Sequence, residues 1–201
     1  MPTATQPDRG GSAAPPGLAT SERILAVAAE MTAEIGWSGV TMSALAERAG
    51  VSRQTVYNEW GNRDRLAQAM VLRELGAFLD RVDAGFDAHP DDLRAGTQAA
   101  IANVLDLART NPLLAAIVTA THGAETELVP LLTTRADVVI DVASERVRER
   151  LAAYRGVDVD ALETTVDLLV RTVLSHVMQP SADAEAVPST LAPAVVRLLA
   201  D

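Results

Sequence analysis

The stretch from Thr41 to Leu66, TMSALAERAGVSRQTVYNEWGNRDRL, leaves the chain few folds to adopt. Met42, Leu45, Ala46 and Ala49 recur at helical spacing, and Gly50 supplies the positive φ that a tight reversal needs. Ser52 is placed to cap a second short helix with Val56 and Trp60 on its inner side. Two short helices joined so tightly make a helix-turn-helix. Arg53, Gln54, Tyr57 and Asn58 then point away from Val56, a hydrogen-bonding face about four residues wide that suits a DNA major groove. Two plain core helices joined by a glycine turn would leave that polar face without a role.

The residue types divide the work. Arg53 and Gln54 have the reach for base edges, a guanidinium matching guanine and an amide matching adenine, and Asn58 suits either task. Thr41, Ser43, Ser52 and Tyr57 are placed for phosphates, because hydroxyls and helix N-termini position a protein without reading bases. Arg63 is either a phosphate contact or a surface charge beside Asp64.

Thr41, Leu45-Ala46, Ala49-Gly50-Val51-Ser52, Thr55-Val56-Tyr57, Trp60-Gly61 and Arg63 to Leu66 together resemble the TetR (tetracycline-repressor-like) transcriptional regulators. The match is dense from Ile24 to Leu66 and beyond that rests on length, helical pattern and order of parts. It implies DNA contacts at Thr41, Thr55, Tyr57 and Arg63. Two positions depart from the family pattern: Trp60 replaces the usual Phe, and Glu59 puts an acid where a neutral or basic polar residue is common.

Before this stretch, residues 1–19 are rich in Pro, Gly, Ser and Ala and read as an arm without a fixed fold. A first helix opens at Thr20 or Ser21, carries Ile24, Val27, Ala28, Met31 and Ile35 as one stripe, and stops at Gly36. After Gly61, Asn62 starts a helix whose apolar pattern continues to Ala88, roughly 40 Å long and able to link two domains. Pro90 and the Asp91-Asp92 pair open another, broken at Asn111-Pro112 before Leu113 to Ala120. Leu128 to Leu151 reads as one long helix. Leu162 to Val177 follows with a broad apolar face, and a short helix carries Leu191, Val195 and Leu198. No strand pattern appears, so the expectation is an all-α chain of about nine helices. A three-helix DNA-binding domain over 20–66 precedes an all-helical ligand-binding and dimerisation domain over 67–201.

Charge is distributed to match. The chain carries a net −10, yet Ser21 to Leu66 holds five Arg against six acids, while Ala67 onward holds eleven Arg against twenty. The acidity therefore lies away from the reading face, and few phosphates can be neutralised, which predicts a shallow salt dependence of DNA binding. With no Cys and only three scattered His, neither thiol chemistry nor a metal centre is expected, and no cofactor. No apolar run is long enough to span a bilayer and no secretory leader is evident, so a cytoplasmic protein without a membrane partner is expected.

The second half lacks nucleophile-elbow, zinc-protease, phosphate-loop and dinucleotide signatures, so binding rather than catalysis is expected of it. Phe78, Thr97, Ile101, Asn103, Thr119, His122 and His176 are the candidate lining of an effector pocket, although any one could be a satisfied buried group or a surface residue. Few aromatics are available, so such a pocket would be aliphatic. Val166, Leu169, Val173, Val177, Leu191, Val195 and Leu198 exceed what one helix needs for its own core and are the candidate dimer interface. The resemblance implies a four-helix interface built from the last two helices of each subunit. The expected function is a homodimeric regulator, a repressor released from a palindromic double-stranded operator by a small apolar effector. The alternative is a DNA-binding dimer without an effector, its second domain serving dimerisation or protein contact.

Overall fold

The computed structural model describes residues 20–119, 128–180 and 184–200, and among them every regular element is helical apart from one isolated bridge between Val157 and Ala200. Nine helices have eight residues or more. In order they are α1 (Thr20–Ile35), α2 (Met42–Ala49), α3 (Arg53–Trp60), α4 (Arg63–Asp87), α5 (Leu93–Thr110) and α6 (Pro112–Thr119). A single turn α7 (Val129–Leu132) separates these from α8 (Asp137–Ala152), α9 (Val159–Met178) and α10 (Val187–Leu199). The expected N-terminal arm and His122 lie outside the described residues.

Local chemistry sets the boundaries. Thr41 accepts the Ala44 N–H at 3.1 Å, Ser52 the Thr55 N–H at 3.0 Å, Asn62 the Arg65 N–H at 2.9 Å and Asp92 the Ala95 N–H at 2.9 Å. Each satisfies one of the amide donors that a helix start leaves without a partner. Gly50 takes φ 67°, the left-handed conformation that lets α2 end and α3 begin within three residues.

Two apolar cores result. The first joins Ile24, Met31, Trp37, Leu45, Val56, Leu66 and Met70, and it also takes in Val71, Leu113, Ile117, Leu128 and Leu131. The N-terminal head, α1 to α3, is thus closed by side chains from α6 and α7, far along the chain. The second core, around Phe86, Ile101, Leu151, Val166 and Leu199, holds α5, α8, α9 and α10 against the distal half of α4. With 25 residues α4 is about 37 Å long, and it runs through both cores.

The expected helix from Leu128 to Leu151 is broken. Arg135 N–H returns to the Pro130 carbonyl at 2.6 Å, so the chain turns after Leu132 and α8 begins only at Asp137. Turning there sends Leu128 and Leu131 into the first core and leaves Ile140, Val147 and Leu151 to the second. Periodicity alone could not separate two apolar stripes with different destinations.

Side-chain ties fix the second half. Arg146 pairs with Asp83, Arg150 with Asp87, and Arg148 with Glu163, joining α8 to α4 and to α9. Tyr154 donates to the His89 carbonyl at 2.7 Å and lies 6.1 Å from the Phe86 ring. The chain end is held where the Asp158 N–H meets the Leu199 carbonyl at 2.9 Å. No single helix among the described residues is long and apolar enough to cross a membrane. α5 and α6 reach that composition only as a pair, bent by 73°, and their buried faces are covered by the two cores.

Candidate nucleic-acid interface and effector cavity

On α3, Val56 is fully buried while Arg53, Gln54, Tyr57 and Asn58 are exposed, Tyr57 by 50%. Gln54 donates to Asn58 Oδ1 at 2.8 Å, so the two amides form a pre-arranged pair one turn apart and each keeps hydrogen-bonding groups directed outward. Ser52 and Thr55 share a hydrogen bond of 2.8 Å at the start of the helix. Thr41 is exposed at the start of α2 and Ser43 is half-buried there. The two helix starts and the outer side of α3 are held together by one rigid core, as groove reading requires. Arg48 grips Glu34 with two hydrogen bonds of 2.6 and 2.7 Å, tying α2 to α1, and the bond holds the Glu34 carboxyl below the usual range.

Arg63 is placed otherwise. Its guanidinium donates to the Trp37 carbonyl and lies 4.6 Å over the indole ring, so it braces the base of the head rather than facing outward. The sequence offered a phosphate contact or a surface charge for this residue; the brace on Trp37 is a further role, and the phosphate contact stands as a proposal.

A cavity of about 150 Å³ lies beyond the head, walled by α4, α5, α6, α8 and α9. Its lining on α4 runs from Val71 to Phe86, about 22 Å along the helix axis. Among the described residues only Glu74, Thr97 and Asn111 interrupt an otherwise apolar wall. Phe78, Thr97 and Ile101, named from the sequence, all lie on it. Asn103 does not: its amide donates to the Arg81 carbonyl at 3.2 Å between α5 and α4. His176 is half-buried on α9 but off the wall, and the Thr119 side chain, like His122, falls outside what is described. Among the described residues no three His, Asp or Glu side chains come close enough together to hold a metal ion.

Residues 24–70 match the family model described as bacterial regulatory proteins, tetR family, and residues 92–197 match the C-terminal domain model of the bacterial tetracyclin repressor. The HTH-type transcriptional regulator AlkX of Mycobacterium tuberculosis is 33% identical over 152 residues, 73% of this chain and 70% of that protein. An uncharacterized HTH-type transcriptional regulator of Mycobacterium bovis is 30% identical over 77% of this chain and 80% of its own length. The chain belongs to the TetR family of transcriptional regulators.

Solved structures carry the same fold. The crystal structure of the repressor AlkX from Dietzia sp. strain DQ12-45-1b, implicated in biodegradation of n-alkanes, superposes with a TM-score of 0.73 at 26% identity, covering 89% of this chain and 94% of that one. RolR in complex with resorcinol gives 0.58 at 17% identity, covering 90% and 87%, which speaks for the fold alone.

Within this TetR-family regulator the expected dimer residues fare unevenly. Val166, Leu169 and Val195 are buried in the second core of a single chain, while Val173 and Val177 are half-buried and, with Leu169, line the cavity. Leu191 is half-buried against the same core. Leu198 stands out, 49% exposed, and Leu168, passed over in the sequence, is 50% exposed on the outer side of α9. Sequence reading also missed Leu113, Leu114 and Ile117 of α6 as wall residues; their only signal was an unbroken apolar run. Val71, Leu113, Ile117 and Val139 belong both to the head core and to the cavity wall.

Proposed function

We propose that this regulator is a homodimeric repressor that a small apolar effector releases from a near-palindromic operator. The observation that carries the reading is the apolar cavity whose wall shares Val71, Leu113, Ile117 and Val139 with the core of the head. A molecule entering it must move side chains that the DNA-binding helices rest on, because packed interiors pass displacement on rather than absorb it. A dimer without an effector would have no use for such a space. Two-fold symmetry sets the reading helices about 34–36 Å apart, in successive major grooves, and effector and DNA then oppose each other by equal coupling free energies.

Base reading falls to Arg53, Gln54 and Asn58, and phosphate contact to Thr41, Ser43, Ser52, Thr55, Tyr57 and Arg63. The outer sides of α9 and α10, with Leu168 and Leu198, supply the dimer contact, and the protein works in the cytoplasm. The cavity's apolar wall suits an alkyl chain, in keeping with the part in n-alkane biodegradation ascribed to AlkX of Dietzia. Selection of bound duplexes from random DNA, followed by gel shifts in the presence of n-alkanes and their oxidised derivatives, tests the reading. A selected palindrome released by an alkyl compound is the expected result; a monomer that binds no duplex at low salt would overturn it.

A further inference from the structure

The polar stripe on the outer side of α3 does not end with the helix. Gln54, Tyr57, Asn58 and Gly61 stand three or four residues apart along one face, and all four are exposed. Gly61, with φ 69°, stops the helix and brings no side chain of its own to the stripe. Arg65, in the first turn of α4, leans back over it: a Cβ added to Gly61 would lie 3.7 Å from Arg65 Nη1 and 3.9 Å from its Cδ. Helical side chains lean toward the helix start in this way, and here the lean carries a cation to the end of the stripe.

Arg65 is exposed, and no carboxylate among the described residues forms an ion pair with it. Its neighbours differ, since Arg48 grips the Glu34 carboxylate and Arg63 lies on Trp37. Arg65 therefore needs no rearrangement to meet an anion. With eight residues α3 is about 12 Å long, close to the width of a major groove, about 12 Å. A helix laid across the groove with Arg53 and Gln54 on the base edges brings its far end out to the phosphates of the rim.

We propose that Arg65 is a phosphate contact at that rim, a binding residue that adds affinity without reading sequence. The proposal rests on the assignment of the outer side of α3 to DNA made above. A guanidinium suits the task because its planar fork matches two phosphate oxygens at once, whereas an ammonium meets them as a point charge.

Gel shifts of the full-length chain over a range of salt concentrations, on a duplex selected from random DNA and on one of scrambled sequence, test this. Arg65→Ala should weaken binding to both duplexes by the same factor, about tenfold for each bound subunit at 0.1 M salt. The slope of log affinity on log salt should become shallower by about 0.9 for each bound subunit. Arg65→Lys should keep the slope and recover most of the affinity. Arg94→Ala, which removes an exposed charge on α5 beside the second core, should alter neither quantity. An unchanged affinity for Arg65→Ala, a loss with the slope unmoved, or a loss confined to the selected duplex overturns the contact while leaving α3 as the reading helix. If Gln54→Ala also leaves base preference untouched, the assignment of α3 itself fails and the contact with it.

Discussion

Arg63 lies across Trp37, its guanidinium hydrogen-bonded to the tryptophan's own carbonyl and 4.6 Å above the indole ring. The contact joins the first residue of α4 to the connector between α1 and α2, across 26 residues of sequence. It closes the head on the side where the long helix leaves it. Arg63→Ala is therefore expected to lower the stability of the head by about 1–2 kcal/mol, through loss of the cation–π contact and a charge-assisted hydrogen bond. Urea titration followed by tryptophan fluorescence measures it. Operator affinity at a temperature where the variant is folded should fall alike for all sequences, as the proposed phosphate contact requires; an unchanged affinity would leave the brace on Trp37 as its whole role.

Gln54 and Asn58 hold each other on the outer side of α3. Gln54→Ala should weaken binding to the preferred operator by about 1–3 kcal/mol and relax the choice at one base pair per half-site. Because the pair is mutual, Asn58→Ala should cost part of the same energy, and the double substitution should cost less than the sum. Competition gel shifts with single-base operator variants read both effects. Additive losses would show that the two amides act separately.

Gly85 lets α4 and α5 meet backbone to backbone: a Cβ added there would stand 2.3 Å from the Ala100 nitrogen. Alanine normally improves a helix interior by about 1 kcal/mol over glycine. Here the opposite is expected, because the obstacle is main chain that cannot rotate aside and overpacking costs about 1–3 kcal/mol. Gly85→Ala should lower the unfolding midpoint, whereas Gly76→Ala, also within α4 but with open space around it, should raise it.

Leu168 and Leu198 each expose about half of their surface on helices whose other sides are buried. Leu168→Glu combined with Leu198→Glu should convert the dimer to a monomer in sedimentation analysis without loss of helicity, and operator affinity should collapse with it. The same change at Val166 or Val195 should unfold the second core instead. A double variant that remains dimeric would move the interface elsewhere.

Residue order by itself determined the features that are made within a few residues. Thr41, Ser52 and Asn62 cap their helices because an oxygen three positions before an amide N–H needs no help from the rest of the chain, and Gly50 turns because only glycine takes that backbone angle freely. The exposed polar side of α3 was legible for the same reason. What only the tertiary structure decided was which surface covers which. Periodicity marks the apolar side of α9, but it could not say that Val166 and Leu169 would be buried in the chain's own core or that Val173 and Val177 would line its cavity. It likewise could not say that Leu113 and Ile117 would close the head, or that Arg63 would turn inward onto Trp37. The hydrophobic effect removes apolar area from water without regard to which partner removes it, so the partner is set by the packing of the whole chain.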